Sequence, residues 1–195
     1  MDLTYILKSL NESDINSALF ICDIELGKGY LNFETLKKLV NNKNTLVIGA
    51  FDLNNKMLGF GYCTILKQAE LEESMHSSQY KKIHHIIKKP EKVGVTNTIV
   101  IRNNYKGKGL GSVIFNNFLT FFKENSIDTV TGFAWKTKEG INMEAIFKKT
   151  NFYILEVIQN FWHEDSIEKK YICPDCGAPP CNCSTVIYLK KHNHI

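Results

Sequence analysis

Residues 99–112 read Ile99-Val100-Ile101-Arg102-Asn103-Asn104-Tyr105-Lys106-Gly107-Lys108-Gly109-Leu110-Gly111-Ser112, and they constrain the fold more than any other stretch. Three β-branched residues in a row favour a buried strand. Two Asn then suit a turn. Three Gly follow at alternate positions, with Lys108 between the first two. Beyond them Leu110, Val113, Ile114, Phe118, Phe121 and Phe122 recur at helical spacing. The local plan is therefore strand, Gly-rich turn, helix. Such a turn lets a ligand approach the backbone closely. The first N–H groups of the helix have no intrahelical partner, and the helix dipole and the two Lys add positive potential. Together they predict a phosphate or pyrophosphate site.

The stretch does not fit G-x-x-x-x-G-K-[ST], which excludes a P-loop. It nearly fits G-x-G-x-x-G/A from Gly107, but Ser112 holds the last position. Too few residues follow for the repeated strand–helix units of a dinucleotide fold. Lys106-Gly107-Lys108-Gly109-Leu110-Gly111, with Tyr105 and an apolar strand before it, resembles the [Q/R]-x-x-G-x-[G/A] core of the GNAT superfamily of acyl-CoA-dependent N-acetyltransferases. Lys106 stands where Gln or Arg is usual; it keeps a charge but lacks the planar fork.

The rest of the chain supports one domain spanning residues 1–195. Hydrophobic residues at 44% and charged ones at 23% are ordinary for a globular protein. A net charge of +4 suits a polyanionic co-substrate without demanding nucleic acid. No apolar run reaches the roughly 20 residues that span a bilayer. The N-terminus lacks the basic-then-apolar shape of a signal peptide, so a cytoplasmic location is expected. Strands are expected at residues 4–9, 45–51, 57–66, 93–101, 129–135, 152–162 and 185–189. Helices are expected from Asn11 or Ser13 to about Glu25, after Asn32, after Gly109, and over 141–149. Residues 68–92 read as an insertion, polar and then basic, with Lys81, Lys82, His84, His85, Lys88 and Lys89.

That order is similar to the GNAT fold: α/β (α+β), with a mixed, mostly antiparallel central sheet flanked by helices. The resemblance implies acetyl-CoA as co-substrate, its pantetheine arm lying where residues 93–101 and 129–135 splay apart. It assigns the co-substrate to Ile99, Val100, Ile101, Lys106, Gly107, Lys108, Gly109, Leu110, Gly111, Ser112 and Asn142. Asn151-Phe152 is a variant of the family's Gly-Phe. The family's catalytic residues carry over poorly. Phe147 stands where many members place a Tyr as general acid, and Phe donates no proton. Residues 93–98 contain no carboxylate where some members place a basic Glu. No catalytic residue is assigned. Amine transfer requires a neutral amine, an oxyanion donor and placement. A lysine-like amine of pKa ~10.4 costs about 4.6 kcal/mol to deprotonate at pH 7. An N–H of the Ile99–Ile101 segment suits the thioester oxygen, water or Tyr153 suits the departing thiolate, and Glu25, His84 and His85 are acceptor-side candidates.

A second signal is Cys173-Pro-Asp-Cys176-Gly-Ala-Pro-Pro-Cys181-Asn-Cys183, four of the six cysteines within a short span. Cys-x-x-Cys-Gly has the shape of a zinc knuckle, and Cys-x-Cys supplies two more thiolates. Four thiolates complete a tetrahedron around Zn2+ and leave no open position, which makes the site structural; disulfides or redox use are the rival reading, against which the expected cytoplasmic location argues. Its insertion spans residues 164–184, between the last two strands, and either staples that connection or shapes the acceptor pocket. His163, His192 and His194 are fallback ligands; Cys22 and Cys63 sit in apolar patterns and read as buried thiols. Three functions remain. The leading one is N-acetyl transfer from acetyl-CoA to a small-molecule or peptide amine, by a monomer or homodimer. The second is an acyl-CoA sensor without turnover. The third, a zinc-ribbon nucleic-acid binder, lacks the interleaved aromatic and basic residues that grip bases.

Overall fold

The computed structural model describes residues 4–73 and 91–191. The described strands are β1 (Ile6–Ser9), β2 (Thr45–Phe51), β3 (Met57–Lys67), β4 (Lys92–Ile101), β5 (Thr129–Lys136), β6 (Tyr153–Ile158) and β7 (Ser184–Lys191). The described helices are α1 (Ile15–Glu25), α2 (Phe33–Val40), α3 (Gln68–Glu73), α4 (Leu110–Glu124), α5 (Glu144–Lys149) and α6 (His163–Lys169). Asn11 and Asn32 cap as their side chains dictate: Asn32 Oδ1 accepts from the Thr35 N–H at 2.8 Å, and Asn11 forms a capping box with Asp14. Basic residues 81–89, His84 and His85 among them, lie outside the described residues.

The strands form one sheet in the order β1-β2-β3-β4-β5-β7-β6. Every neighbouring pair is antiparallel except β4 and β5. One face carries α4 and α5 over a core of Ile114, Phe115, Phe118, Phe122, Phe147 and Tyr188. The other carries α1 and α2 over Ile15, Ile21, Leu36, Phe60 and Val100. Each buried Phe contributes about 1.5–3 kcal/mol by leaving water, so the Phe-rich α4 face anchors the Gly loop that precedes it.

Three expectations change. The strand expected over 152–162 ends at Ile158, because Asn160 turns the chain at φ +53° and the Phe161 N–H leaves the strand to donate to the Cys183 carbonyl at 3.0 Å. The helix expected from Ile141 begins at Glu144, since Ile141 bridges back to Lys136 and Met143 takes φ +67°. The last strand, expected over 185–189 to pair with the strand before it, does so and also pairs with β5, so β7 lies between β5 and β6.

Two irregularities open the middle of the sheet. Tyr62 faces Thr98 and Cys63 faces Thr96, so Asn97 bulges from β4 without a register partner on β3, its Oδ1 accepting from Thr64 Oγ1 at 2.9 Å. A bulge bends a strand and re-aims its side chains. The parallel pairing of β4 with β5 runs only from Gly94↔Val130 to Thr96↔Gly132. Beyond that point the strands part, β4 staying with β3 and β5 with β7.

Candidate functional site

The gap between β4 and β5 holds a cavity of about 110 Å³. Asn97, Thr98 and Ile99 line it from β4, and Phe133, Ala134 and Trp135 from β5. Asn142 and Met143 line it from the turn before α5. Leu26 and Tyr30 contribute from the α1–α2 connection. Trp162, Tyr171, Cys173, Pro174 and Cys181 complete it from the cysteine-rich segment. Among the described residues no Asp, Glu, Lys, Arg or His lines this slot. The hydroxyls of Tyr30 and Tyr62 both hydrogen-bond to Thr98. Burial pushes the Tyr62 phenol up to about 12 and raises that of Tyr30 further, so both stay neutral at ordinary pH.

The Gly loop stands beside the slot, at the end of β4. Asn103–Tyr105 form a single 3-10 turn, and Gly107 and Gly109 take φ +73° and +85°. A Cβ at either position would meet nothing within 4 Å, so the loop presents an open face. Gly109 is the N-cap of α4 and no side chain caps that helix, leaving its first N–H groups available to an anion. Lys108 lies over the Tyr105 ring at 5.2 Å from its centroid. Lys106 is differently engaged: its Nζ is 2.6 Å from Glu25 Oε2, and its N–H donates to the Asn103 carbonyl. Glu25 also accepts from the Asn103 N–H at 2.8 Å. Glu25 therefore clamps the Gly loop to the end of α1 and is not part of the slot's lining. Sequence reading offered it only as an acceptor-side candidate, since an ion pair to Lys106 so far along the chain leaves no local signal.

Other expected groups are also placed. Phe147 is buried beneath the point where the strands part, stacked on Tyr188 at 4.4 Å and 5° between ring planes. Its ring tip fills the space that a Cβ on Gly132 would occupy. Tyr153 is 48% exposed on the edge strand β6, which removes it as a proton donor in the slot. Asn142 lines the slot and its N–H donates to the Trp135 carbonyl. Sequence reading missed Tyr30, Trp135, Trp162 and Tyr171; aromatic residues scattered over one strand and two connections carry no local signal.

The four cysteines converge. The sulfurs of Cys173, Cys176, Cys181 and Cys183 all lie within 4.8 Å of one another. Individual separations are 3.4 Å (Cys176–Cys183), 3.8 Å (Cys173–Cys183) and 4.0 Å (Cys176–Cys181). A tetrahedron with Zn–S bonds of about 2.3 Å has edges of about 3.8 Å. Paired backbone bonds between Cys173 and Gly177, with Gly177 at φ +82°, form the knuckle turn. The donor set and its spacing fit a closed structural metal site. Burial pushes the Cys183 thiol up to about 12 and raises Cys181 further, so a bound metal would displace those protons. His163 instead contacts Glu164 at 3.1 Å, and His192 and His194 lie outside the described residues.

The cluster has a small core of its own. Cys173, Cys181, Cys183 and Tyr171 are buried against Tyr30, Trp135 and Trp162. The Cys181 N–H donates to Ser166 Oγ at 2.8 Å, tying the cluster to α6. The Ile172 N–H donates to the Lys28 carbonyl, and a Cβ at Gly27 would strike the Ile172 carbonyl oxygen. The segment is thus folded onto the α1–α2 turn rather than being a bare loop, and it forms one wall of the slot.

No family model matches the sequence, and none of the curated proteins matches it. Solved structures do match. Arabidopsis thaliana NAA60 in complex with acetyl-CoA superposes with a TM-score of 0.70 at 15% identity, over 98% of this chain and 100% of that one. The NatC complex bound to Gag peptide and CoA matches at 0.69 and 10% identity, over 98% and 100%. The ribosomal-protein-S18-alanine N-acetyltransferase from Escherichia coli matches at 0.65 and 13%, over 98% and 96%. The chain has the GNAT fold. Within that GNAT sheet, the parting strands and the uncapped Gly-loop helix lie side by side, and the cysteine-rich segment joins the slot from the β6–β7 connection. Among the described residues no helix is long and apolar enough to cross a membrane.

Proposed function

We propose that the chain is an acetyl-CoA-dependent N-acetyltransferase that moves the acetyl group directly to a primary amine. The observation that carries this is the parting of β4 and β5 after Thr96↔Gly132, beside an apolar slot and an uncapped helix N-terminus. The resemblance to NAA60 with acetyl-CoA supports the choice of donor. In this reading the pyrophosphate sits on the N–H groups of Gly107, Lys108, Gly109, Leu110, Gly111 and Ser112, with Lys106 held aside by Glu25. The pantetheine arm pairs with the free edge of β4 at Ile99, Val100 and Ile101, next to Asn142. The amine nitrogen attacks the thioester carbonyl carbon, the C–S bond breaks, and the electron pair leaves on sulfur. The amine's surplus proton passes to water and the thiolate takes one from water. A β4 N–H stabilises the oxyanion between the two steps. Cys173, Cys176, Cys181 and Cys183 hold one structural Zn2+ in the segment 164–184. A cytoplasmic location and a monomer or homodimer complete the proposal.

Gly109→Glu tests it. The new side chain would sit at φ +85°, strained for any L-residue, and its carboxylate would occupy the anion cradle. Calorimetry should find acetyl-CoA binding abolished; unchanged affinity would refute the assignment. A second reading, an acyl-CoA sensor, is favoured by the burial of Phe147 where the family places its proton donor. Release of CoA thiol with any amine decides between them.

A further inference from the structure

We propose that Cys176 is an oxidation site whose disulfide with Cys183 expels the metal and loosens one wall of the slot. The inference rests on the structural-metal reading above and goes beyond it. Metal binding keeps the ligand sulfurs deprotonated, so access chooses which of them an oxidant meets. Cys173, Cys181 and Cys183 are buried, whereas Cys176 is exposed. Beside it Gly177 takes φ +82°, and a Cβ there would meet nothing within 4 Å. A small oxidant such as hydrogen peroxide therefore reaches Cys176 first, because thiol oxidation follows thiolate character and exposure. The Cys183 sulfur lies 3.4 Å from it, closer than that of Cys181 at 4.0 Å, and is placed to resolve the oxidised sulfur.

With hydrogen peroxide as oxidant the chemistry balances. The Cys176 thiolate attacks one peroxide oxygen; an S–O bond forms, the O–O bond breaks and hydroxide leaves, giving a sulfenic acid. The Cys183 thiolate then attacks the Cys176 sulfur; an S–S bond forms, the S–O bond breaks and a second hydroxide leaves. Two electrons pass from the two thiolates to one peroxide, and each hydroxide takes a proton from solvent to become water. Cys173 and Cys181 then remain as two ligands where a closed structural site takes four. The structure carries that loss to the slot. The Trp135 indole N–H donates to the Cys183 sulfur, and Trp135 lines the slot together with Cys173, Pro174 and Cys181. Asp175 Oδ2, inside the knuckle, accepts from the Lys138 N–H at 3.2 Å, and the Ile172 N–H donates to the Lys28 carbonyl. The knuckle therefore braces both the turn after β5 and the α1–α2 turn. Trp135 and Trp162 both pack on the cluster, so they report on its state.

Treating the reduced, zinc-loaded full chain with hydrogen peroxide tests this. A colorimetric chelator should find about one zinc released per chain, the full complement of a closed four-thiolate site. Peptide mapping should find a Cys176–Cys183 disulfide. In a parallel reaction, dimedone added with the peroxide should trap the sulfenic acid on Cys176. Tryptophan fluorescence should shift with the same time course, and dithiothreitol with zinc should reverse both the shift and the metal loss. Cys176→His keeps a fourth ligand of a type that structural zinc accepts and removes the exposed thiol. It should hold zinc and lose it to peroxide at least about 10-fold more slowly. The trapping on the unaltered chain decides the site whether or not that variant folds. Zinc retained under peroxide, a first label on any other cysteine, or a zinc-bearing Cys176→His that loses metal as fast as the unaltered chain would overturn the oxidation site and leave the metal reading standing. A chain that takes up no zinc would overturn both.

Discussion

Phe147 tests whether the position that usually supplies a proton here supplies only packing. Its side chain is 2% exposed. It stacks on Tyr188 and meets Phe115 and Phe152 edge-on at 5.3 and 5.1 Å between centroids. Phe147→Ala removes that ring from the centre of the α4 face. A buried Phe→Ala costs about 3–5 kcal/mol, and this site is near the upper end because three aromatic contacts go with it. Against a typical total of ~5–15 kcal/mol, that is a third or more of the stability. For a chain of this size each kcal/mol lowers Tm by about 2–4 °C, which gives a fall of roughly 6–20 °C. Below the new transition, kcat should fall no more than a few-fold. Phe147→Tyr asks the opposite question. The ring tip lies 2.5 Å from where a Cβ on Gly132 would stand, and Thr96 Oγ1 adjoins the same spot. A phenol oxygen there has no room and would cost about 1–3 kcal/mol as overpacking. Its stacking partner Tyr188 already buries a hydroxyl that has no hydrogen-bond partner among the described residues. Thermal melts and steady-state kinetics on both variants are the assay. An unshifted Tm in Phe147→Ala would refute the packing argument. A Phe147→Tyr enzyme faster by orders of magnitude would show a site lacking its proton donor, and would favour the sensor.

Two further outcomes follow from the cysteine cluster and from the buried phenols and thiols. Chelation or Cys176→Ser should lower Tm and raise KM for the acceptor, because Cys173, Pro174 and Cys181 wall the slot, while acetyl-CoA affinity at the Gly loop, which contributes no residue to the cysteine cluster, largely survives; metal analysis should find about one zinc per chain, and well under one with a Cys173–Cys176 disulfide under reducing conditions would refute the site. Burial raises Cys22 from 9.0 to about 12 and Tyr62 from 10.0 to about 12. The fold favours their neutral forms, so their contribution is full below pH 9 and is lost as pH rises toward about 12. The unfolding free energy from urea titrations should therefore hold to about pH 9 and then fall by up to ~1.4 kcal/mol per pH unit for each such group, and a flat value through pH 11 would contradict their burial.

By itself the sequence determined whatever is written in neighbouring residues. Ile99–Ile101 followed by Gly107, Gly109 and an apolar 3.6-residue period specifies strand, open turn and helix, because each element depends on local backbone preference and one buried face. The same holds for the Asn32 cap, and for the knuckle at Cys173 and Gly177, whose short spacing fixes the turn. Tertiary structure decided what depends on contacts between distant segments. Nothing around Glu25 announces that it will reach Lys106 and Asn103; the pair forms only because α1 ends beside β4. The placement of β7 between β5 and β6 is a choice of strand partners, which the alternation of apolar residues leaves open. The slot between β4 and β5 is the extreme case. Tyr30 comes from the α1–α2 connection, Trp135 from β5, and Trp162 and Tyr171 from the β6–β7 connection, and the folding of the cysteine-rich segment onto Gly27 and Lys28 brings them to one cavity. An aromatic side chain in a loop looks the same in sequence whether it faces solvent or a ligand. What decides is the apolar area it buries against residues far along the chain.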